Sequence, residues 1–306
     1  MRIAVIGGTG FIGSYLLDAL HAAGHSTSVL VRPGSESRVA NGPGVRIVSG
    51  DLDSDVAIGE LLDGCDAVVY LVGILRAFPG RGITFEDAQY EGVVRIADAA
   101  MQRGIRRFLL MSANGVDADS TAYQRTKLNA ERYVQGLDLD VTVFRPSVVF
   151  GNPRGRMEFA TQLYRDMIRK PVPAIGFFSG WQPSTGPVMM SPVHVQDVAD
   201  AFVAALDDPA SIGQTYALGG PEALSWADML QRVAAAVDKR KLIIPFPIKL
   251  MRIGATLLDW LPFFPVTRDQ LTMLEQNNIC DSKQLEKLIQ RPPRNFSVEA
   301  LTYLAH

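Results

Sequence analysis

Tyr123 and Lys127 stand four residues apart in Tyr123-Gln124-Arg125-Thr126-Lys127, and Ser112 lies just past the apolar run Phe108-Leu109-Leu110-Met111. On a helix that spacing puts the phenol and the ammonium on one face. A phenol with an unperturbed pKa of about 10 is a poor base, but a neighbouring positive charge favours the phenolate and lowers the value. In this reading Tyr123 exchanges a proton with an alcohol or carbonyl oxygen, Lys127 lowers its pKa, and the Ser112 hydroxyl orients that oxygen. A bare Tyr-x-x-x-Lys also occurs on many surface helices, so its meaning depends on the elements that place it.

Those elements begin at the amino terminus. The apolar run Ile3-Ala4-Val5-Ile6 leads directly into Gly7-Gly8-Thr9-Gly10-Phe11-Ile12-Gly13. A strand delivering glycines at this spacing into a helix makes a dinucleotide-binding turn. Gly7 permits the tight turn, Gly10 lets backbone approach a pyrophosphate, and Gly13 lets the helix lie close on the strand. The pyrophosphate then meets the free N–H groups and the positive dipole end of the helix. Tyr15, Leu16, Leu17, Ala19, Leu20 and Ala23 recur with helical period, and Gly24 is placed to end the helix. With a nicotinamide nucleotide held here, Lys127 also hydrogen-bonds its ribose while hydride moves.

The second strand, Thr27-Ser28-Val29-Leu30-Val31-Arg32, ends without the acid that would accept a hydrogen bond from a ribose 2′-hydroxyl. Val31 stands there, followed by Arg32, whose guanidinium suits a 2′-phosphate. NADP(H) is therefore expected over NAD(H). Arg38, Ser35 and Ser37 read as further contacts or as a solvated loop. Asp51, at the end of the third strand, reads as an adenine contact or as a helix cap.

Near-continuous apolar strands alternate with helices through residue 145: Arg46–Val48, Ala67–Val72, Phe108–Met111 and Val141–Phe144 follow the first two. This predicts an α/β fold with a doubly wound parallel Rossmann sheet over residues 1–150, taking in parts of 185–220. The helix before the Phe108 strand carries Tyr90, Val93, Val94, Ala97, Ala100 and Met101 on its core stripe. Residues 151–306 read as a smaller mixed carboxyl-terminal lobe, with helices over 226–237 and 266–276.

A chain of 306 residues can bury a full core. Its net charge of −2 and sequence pI near 6.1 carry no basic footprint, which argues against nucleic-acid binding. Cys65 and Cys280 read as free thiols, and the four histidines have no ligand spacing, so no metal is expected. A strand from residue 2 leaves no room for a leader, and a cytoplasmic location is expected. In 247–265, Lys249, Arg252, Thr256 and Asp259 share one helical face and Leu250, Ile253, Leu257 and Leu261 the other, with Trp260 near the end. Docking on the protein's own core and a peripheral contact with a membrane or membrane complex at its inner face both fit. His194 and Asp197 read as a buried, satisfied ring and an N-cap rather than as catalytic groups.

With the glycine turn, Ser112, Tyr123 and Lys127 in place, the chain resembles the short-chain dehydrogenase/reductase superfamily in its extended and atypical branches. Tyr70-Leu71-Val72-Gly73-Ile74-Leu75, Arg145-Pro146-Ser147-Val148-Val149-Phe150-Gly151, Pro192-Val193-His194-Val195, Leu218-Gly219-Gly220-Pro221-Glu222 and Leu261-Pro-Phe-Phe-Pro-Val-Thr-Arg-Asp-Gln270 narrow it. Together they look like the bacterial relatives of the thirty-nine-kilodalton NADP-binding accessory subunit of respiratory complex I. The resemblance implies nucleotide contacts from Gly7 through Gly13, Arg32, Asp51, Leu52, Leu71, Val72, Gly73, Lys127, Pro146 and Val148. It also implies either a quinone-related oxidoreductase or a nucleotide-stabilised accessory or assembly factor. Gln89 replaces the asparagine of the superfamily's proton relay. The missing acid at Val31 argues against sugar-nucleotide epimerisation, which shares the fold and the tyrosine.

Overall fold

The structure is a computed structural model that describes the chain except for residues 41, 75, 78, 79, 81, 182, 252, 254–267 and 306. In chain order its elements are β1 (Arg2–Ile6), α1 (Phe11–Ala22), β2 (Ser26–Val31), β3 (Val45–Ser49), α2 (Asp55–Leu62), β4 (Ala67–Tyr70), α3 (Gly92–Gln102), β5 (Arg107–Met111), α4 (Ala122–Gln135) and β6 (Asp140–Pro146). Next come β7 (Val149–Phe150), α5 (Phe159–Leu163), β8 (Ala174–Phe178), β9 (Met189–Met190), β10 (Val193–His194), α6 (Val195–Asp207), β11 (Thr215–Leu218), β12 (Leu224–Ser225), α7 (Trp226–Ala235) and β13 (Ile243–Pro247). Two compact units divide them. One takes Met1–Arg145, Gln196–Tyr216 and Lys287–Gln290, and the other takes Pro146–Val195, Ala217–Glu286 and Arg291–His306.

The first unit is built on a seven-stranded sheet of order β11-β6-β5-β4-β1-β2-β3, and every ladder from β3 across to β6 is parallel. Successive side chains of a strand point to opposite faces, so a sheet covered on both sides needs apolar residues throughout. Thus Ala4, Ile6, Val68, Tyr70, Phe108, Leu110, Val141 and Val143 pack under α2, α3 and α4. On the other face, Phe144 meets Phe202 of α6 with ring centroids 4.1 Å apart. The strand order reverses between β1 and β4, which opens the crevice at the carboxyl ends where doubly wound sheets bind ligands.

Two helices differ from the expectation in instructive ways. Before α3 the chain winds a wider turn over Asp87–Glu91, into which Tyr70 donates its hydroxyl at 2.8 Å to the Ala88 carbonyl. Within α3 Ile96 is fully buried, whereas Met101, in the last turn, is 38% exposed and outside the core. α7 stops at Ala235, two residues early, and its start is a reciprocal cap in which Ser225 and Asp228 satisfy each other's backbone N–H.

The second unit packs Phe150, Trp226, Met229, Leu230 and Phe296 into its own core, flanked by the parallel pair β8 and β13. A further helix covers Arg268–Glu275 of the expected 266–276. The amphipathic reading of 247–265 falls mostly outside the described residues; at its start Ile248 is buried, and Leu250 and Ile253 are exposed.

Candidate active site

The glycine turn has the backbone its sequence demands. Gly7 adopts φ +92°, a left-handed conformation that side chains resist, and a Cβ there would lie 3.2 Å from Leu71 and Val72. Gly13 lies closer still: a Cβ would sit 2.3 Å from the Gly7 carbonyl and 2.7 Å from Gly8 Cα. The first turn of α1 therefore rests on the strand-leaving loop, with Gly10 as its N-cap and no acidic residue in it. Its first amides have no partner within the helix, the arrangement that accepts a pyrophosphate. Thr9, Phe11 and Ile12 are half-buried on this turn, and Gly8 is buried, packed on Val29.

At the carboxyl edges of β4 and β5 the acid/base candidates gather around Lys127. Thr121 caps α4 by accepting from Gln124 N at 3.2 Å, which starts the helix one residue before Tyr123. Lys127 is 2% exposed, and its Nζ donates to the Val72 carbonyl at 3.0 Å and to the Met111 carbonyl at 2.9 Å. Gly73 lies against it, since a Cβ there would be 3.4 Å from Nζ. Ser112 follows Met111 directly and is buried, and its Oγ has no hydrogen-bond partner among the described residues. A buried hydroxyl without a protein partner is costly and calls for a water or a ligand group. Tyr123 is half-buried with the Phe85 ring edge-on to it at 6.0 Å.

Electrostatics correct one expectation. Burial pushes the Tyr123 phenol up, to about 12, rather than down, because loss of water penalises the phenolate. The same loss of water lowers the Lys127 ammonium to about 8, against which the charge of Glu131, one helical turn on, works to raise it. Glu131 is itself buried and receives Arg145, with Nε 2.9 Å and Nη2 2.6 Å from its carboxylate. Arg145 also reaches Asp117 at 2.6 Å. Glu131 is not among the residues singled out from the sequence, although its spacing of four from Lys127 puts it on the same helical face.

Gln89 is fully buried with both ends of its amide engaged. Nε2 donates to the Ile74 carbonyl at 2.8 Å, and Oε1 accepts from Thr126 Oγ1 at 3.0 Å. It ties the segment after β4 to α4 between Tyr123 and Lys127, a bracing role beside the relay position expected of it.

The remaining candidates are placed differently. Arg32 is exposed at the end of β2 and makes no ion pair among the described residues. Asp51 is exposed and accepts from Asp53 N at 3.1 Å; the cap of α2 is Ser54, so the capping explanation for Asp51 fails. Leu52, Leu71 and Val72 are half-buried around the strand ends. Pro146 and Val148 belong to the second unit, where Val148 packs on its core. His194 is half-buried and edge-on to Phe150 at 5.2 Å rather than enclosed, and the fully buried Asp197 is the third residue of α6 rather than its cap. Both cysteines are free, and no cluster that would hold a metal occurs among the described residues. No described helix is long and apolar enough to cross a membrane.

Comparison with known proteins agrees with this geometry. The model of the NAD dependent epimerase/dehydratase family matches residues 3–219. The mitochondrial NADH dehydrogenase (ubiquinone) 1 alpha subcomplex subunit 9 of Arabidopsis thaliana is 30% identical over 299 residues, covering 92% of this chain and 70% of that protein. The ceramide reductase of Caulobacter vibrioides is 25% identical over 258 residues, covering 84% and 77%. The crystal structure of gox2253 shares the fold with a TM-score of 0.76 at 22% identity, covering 99% of this chain and 96% of that one.

Proposed function

Because this chain belongs to the NAD dependent epimerase/dehydratase family, we propose that it is an NADP(H)-dependent oxidoreductase acting on a carbonyl or alcohol, in a quinone-related or lipid substrate. The observation that carries the reading is the buried, partnerless Ser112 hydroxyl next to the Met111 carbonyl that tethers Lys127.

The nucleotide supplies or accepts a hydride when bound. The first-turn amides of α1 and the close Gly7–Gly13 contact suit its pyrophosphate. Two of the three protons of the Lys127 ammonium are committed to Val72 and Met111, which leaves one for the nucleotide ribose. Ser112 then donates to the substrate oxygen. With its pKa near 12, Tyr123 holds its proton at ordinary pH and gives it to the carbonyl oxygen as hydride reaches the carbon; the alcohol direction reverses both transfers. Arg32, exposed and without an ion-pair partner among the described residues, supports NADP(H) over NAD(H). The Caulobacter relative, named a ceramide reductase, lends support to reductive chemistry on a lipid.

Tyr123→Phe tests it. Turnover of NADPH with a quinone or carbonyl panel is expected to vanish while NADPH affinity stays within a few fold. Turnover equal to that of the unaltered protein refutes the catalytic role.

A second reading, favoured by the Arabidopsis relative named as a respiratory subunit, is a nucleotide-stabilised accessory or assembly factor contacting a membrane complex through 247–265. NADPH residence separates the two: release within seconds supports turnover, and retention for hours without turnover supports the accessory role.

A further inference from the structure

The end of β2 carries a second charge whose position decides what Arg32 does. Val31 and Ser49, the last residues of β2 and β3, are register partners. After Val31 the chain turns, with Ser35 N donating to the Arg32 carbonyl at 3.0 Å, and enters a single tight helical turn over Glu36–Arg38. That turn carries Glu36 back to the strand ends, where Ser49 Oγ donates to Glu36 Oε1 at 3.1 Å. Backbone N–H donors of the turn, that of Glu36 itself foremost, hold the carboxyl below the usual carboxylate range, so it is charged at neutral pH.

A carboxylate and a guanidinium in this position have opposite effects on a dinucleotide. The carboxylate accepts from a 2′-hydroxyl and repels a 2′-phosphate, whereas the guanidinium attracts the phosphate. Arg32 opens the turn that leads into the Glu36–Arg38 helical turn, four residues before Glu36. A carboxylate released from Ser49 either pairs with Arg32 and cancels it or stands against the phosphate, and both weaken NADP(H). With the carboxylate on Ser49, Arg32 has no ion-pair partner among the described residues.

We propose that Ser49 is a specificity-determining residue: by holding Glu36 on the end of β3 it leaves Arg32 free for an adenosine 2′-phosphate. The proposal rests on the glycine turn and β2 edge being the nucleotide site. Its chemistry is local, a hydroxyl-to-carboxylate latch on an exposed edge, so neither partner is needed for the core.

The test is the ratio of NADPH to NADH dissociation constants, read by nicotinamide fluorescence at low ionic strength, for the unaltered protein, Ser49→Ala, Glu36→Gln and the double variant. Ser49→Ala is expected to cut the preference for NADPH about threefold to tenfold without weakening NADH, and the loss should shrink in high salt. Glu36→Gln keeps the preference, and adding Ser49→Ala to it changes nothing further. The latch is overturned if Ser49→Ala leaves the ratio unchanged, weakens both nucleotides equally, or shifts the ratio as much with Glu36 replaced as with it present. If the unaltered protein prefers NADH, the NADP(H) reading fails by itself. The latch then still stands or falls on whether Ser49→Ala moves the ratio only when Glu36 is present.

Discussion

Lys127 Nζ donates to the Met111 carbonyl at 2.9 Å, one residue before a Ser112 hydroxyl that is buried without a partner among the described residues. The lysine is thus tethered to the sheet edge by backbone carbonyls of β5 and of the segment after β4, and α4 is pinned there by its own functional group. Tyr123, one turn earlier on the same face, takes its place from that tether.

A third Lys127 donor given to the nucleotide predicts an affinity that depends on pH. A neutral amine has two N–H donors, and the Val72 and Met111 carbonyls take both. NADPH affinity is therefore expected to fall as pH rises through about 8, with a slope of one proton, in fluorescence titrations. Glu131→Gln removes the charge that favours the ammonium and moves the midpoint lower; a midpoint that stays put removes Lys127 from the nucleotide site. The effect on folding has the opposite sense. Since the folded value lies below the ordinary 10.5, stability from Lys127 is complete only above that value and is lost as pH falls through about 8. Tyr123, raised from 10.0, contributes stability that is present below pH 10.0 and lost as pH rises through about 12.

Gly13→Ala places a methyl 2.3 Å from the Gly7 carbonyl, where backbone rather than a flexible side chain must move. Nucleotide binding is expected to drop at least tenfold, and stability to fall by about 1–3 kcal/mol, as for an overpacked core. Calorimetric binding together with a urea melt checks this. Unchanged affinity would mean that the pyrophosphate lies elsewhere.

Gln89→Leu keeps the volume but removes the donor to Ile74 and the acceptor for Thr126. The orphaned Ile74 carbonyl is expected to cost about 1–3 kcal/mol. Faster NADPH release should accompany it, because α4 loses its brace between Tyr123 and Lys127. Thermal unfolding and stopped-flow release measure the two effects. A variant with unaltered release would confine Gln89 to stability.

The fold was legible in the sequence because doubly wound sheets write themselves plainly. Buried parallel strands are runs such as Ala67–Tyr70, and the Gly7–Gly13 turn admits no other residues at its tightest contact. Differences arose where a local pattern did not fix what the tertiary structure buries or caps. Met101 lies outside the core because it falls in the last turn of α3, at the flank of the stripe made by Val93, Ile96, Ala97 and Ala100. Asp51, read as an adenine contact or a cap, is not the cap of α2, because Ser54 accepts from Ala57 N there.

By itself the sequence marked the glycine turn, the alternation of strands and helices, and Ser112, Tyr123 and Lys127 as one candidate set, since each follows from spacing along one chain. Tertiary structure alone decided which polar groups meet. Glu36 rests on Ser49 of another strand, Arg145 on Glu131 of a helix, and Gln89 between Ile74 and Thr126. It also reversed the expected shift of the Tyr123 phenol, because burial depends on what packs around a group and spacing does not encode it.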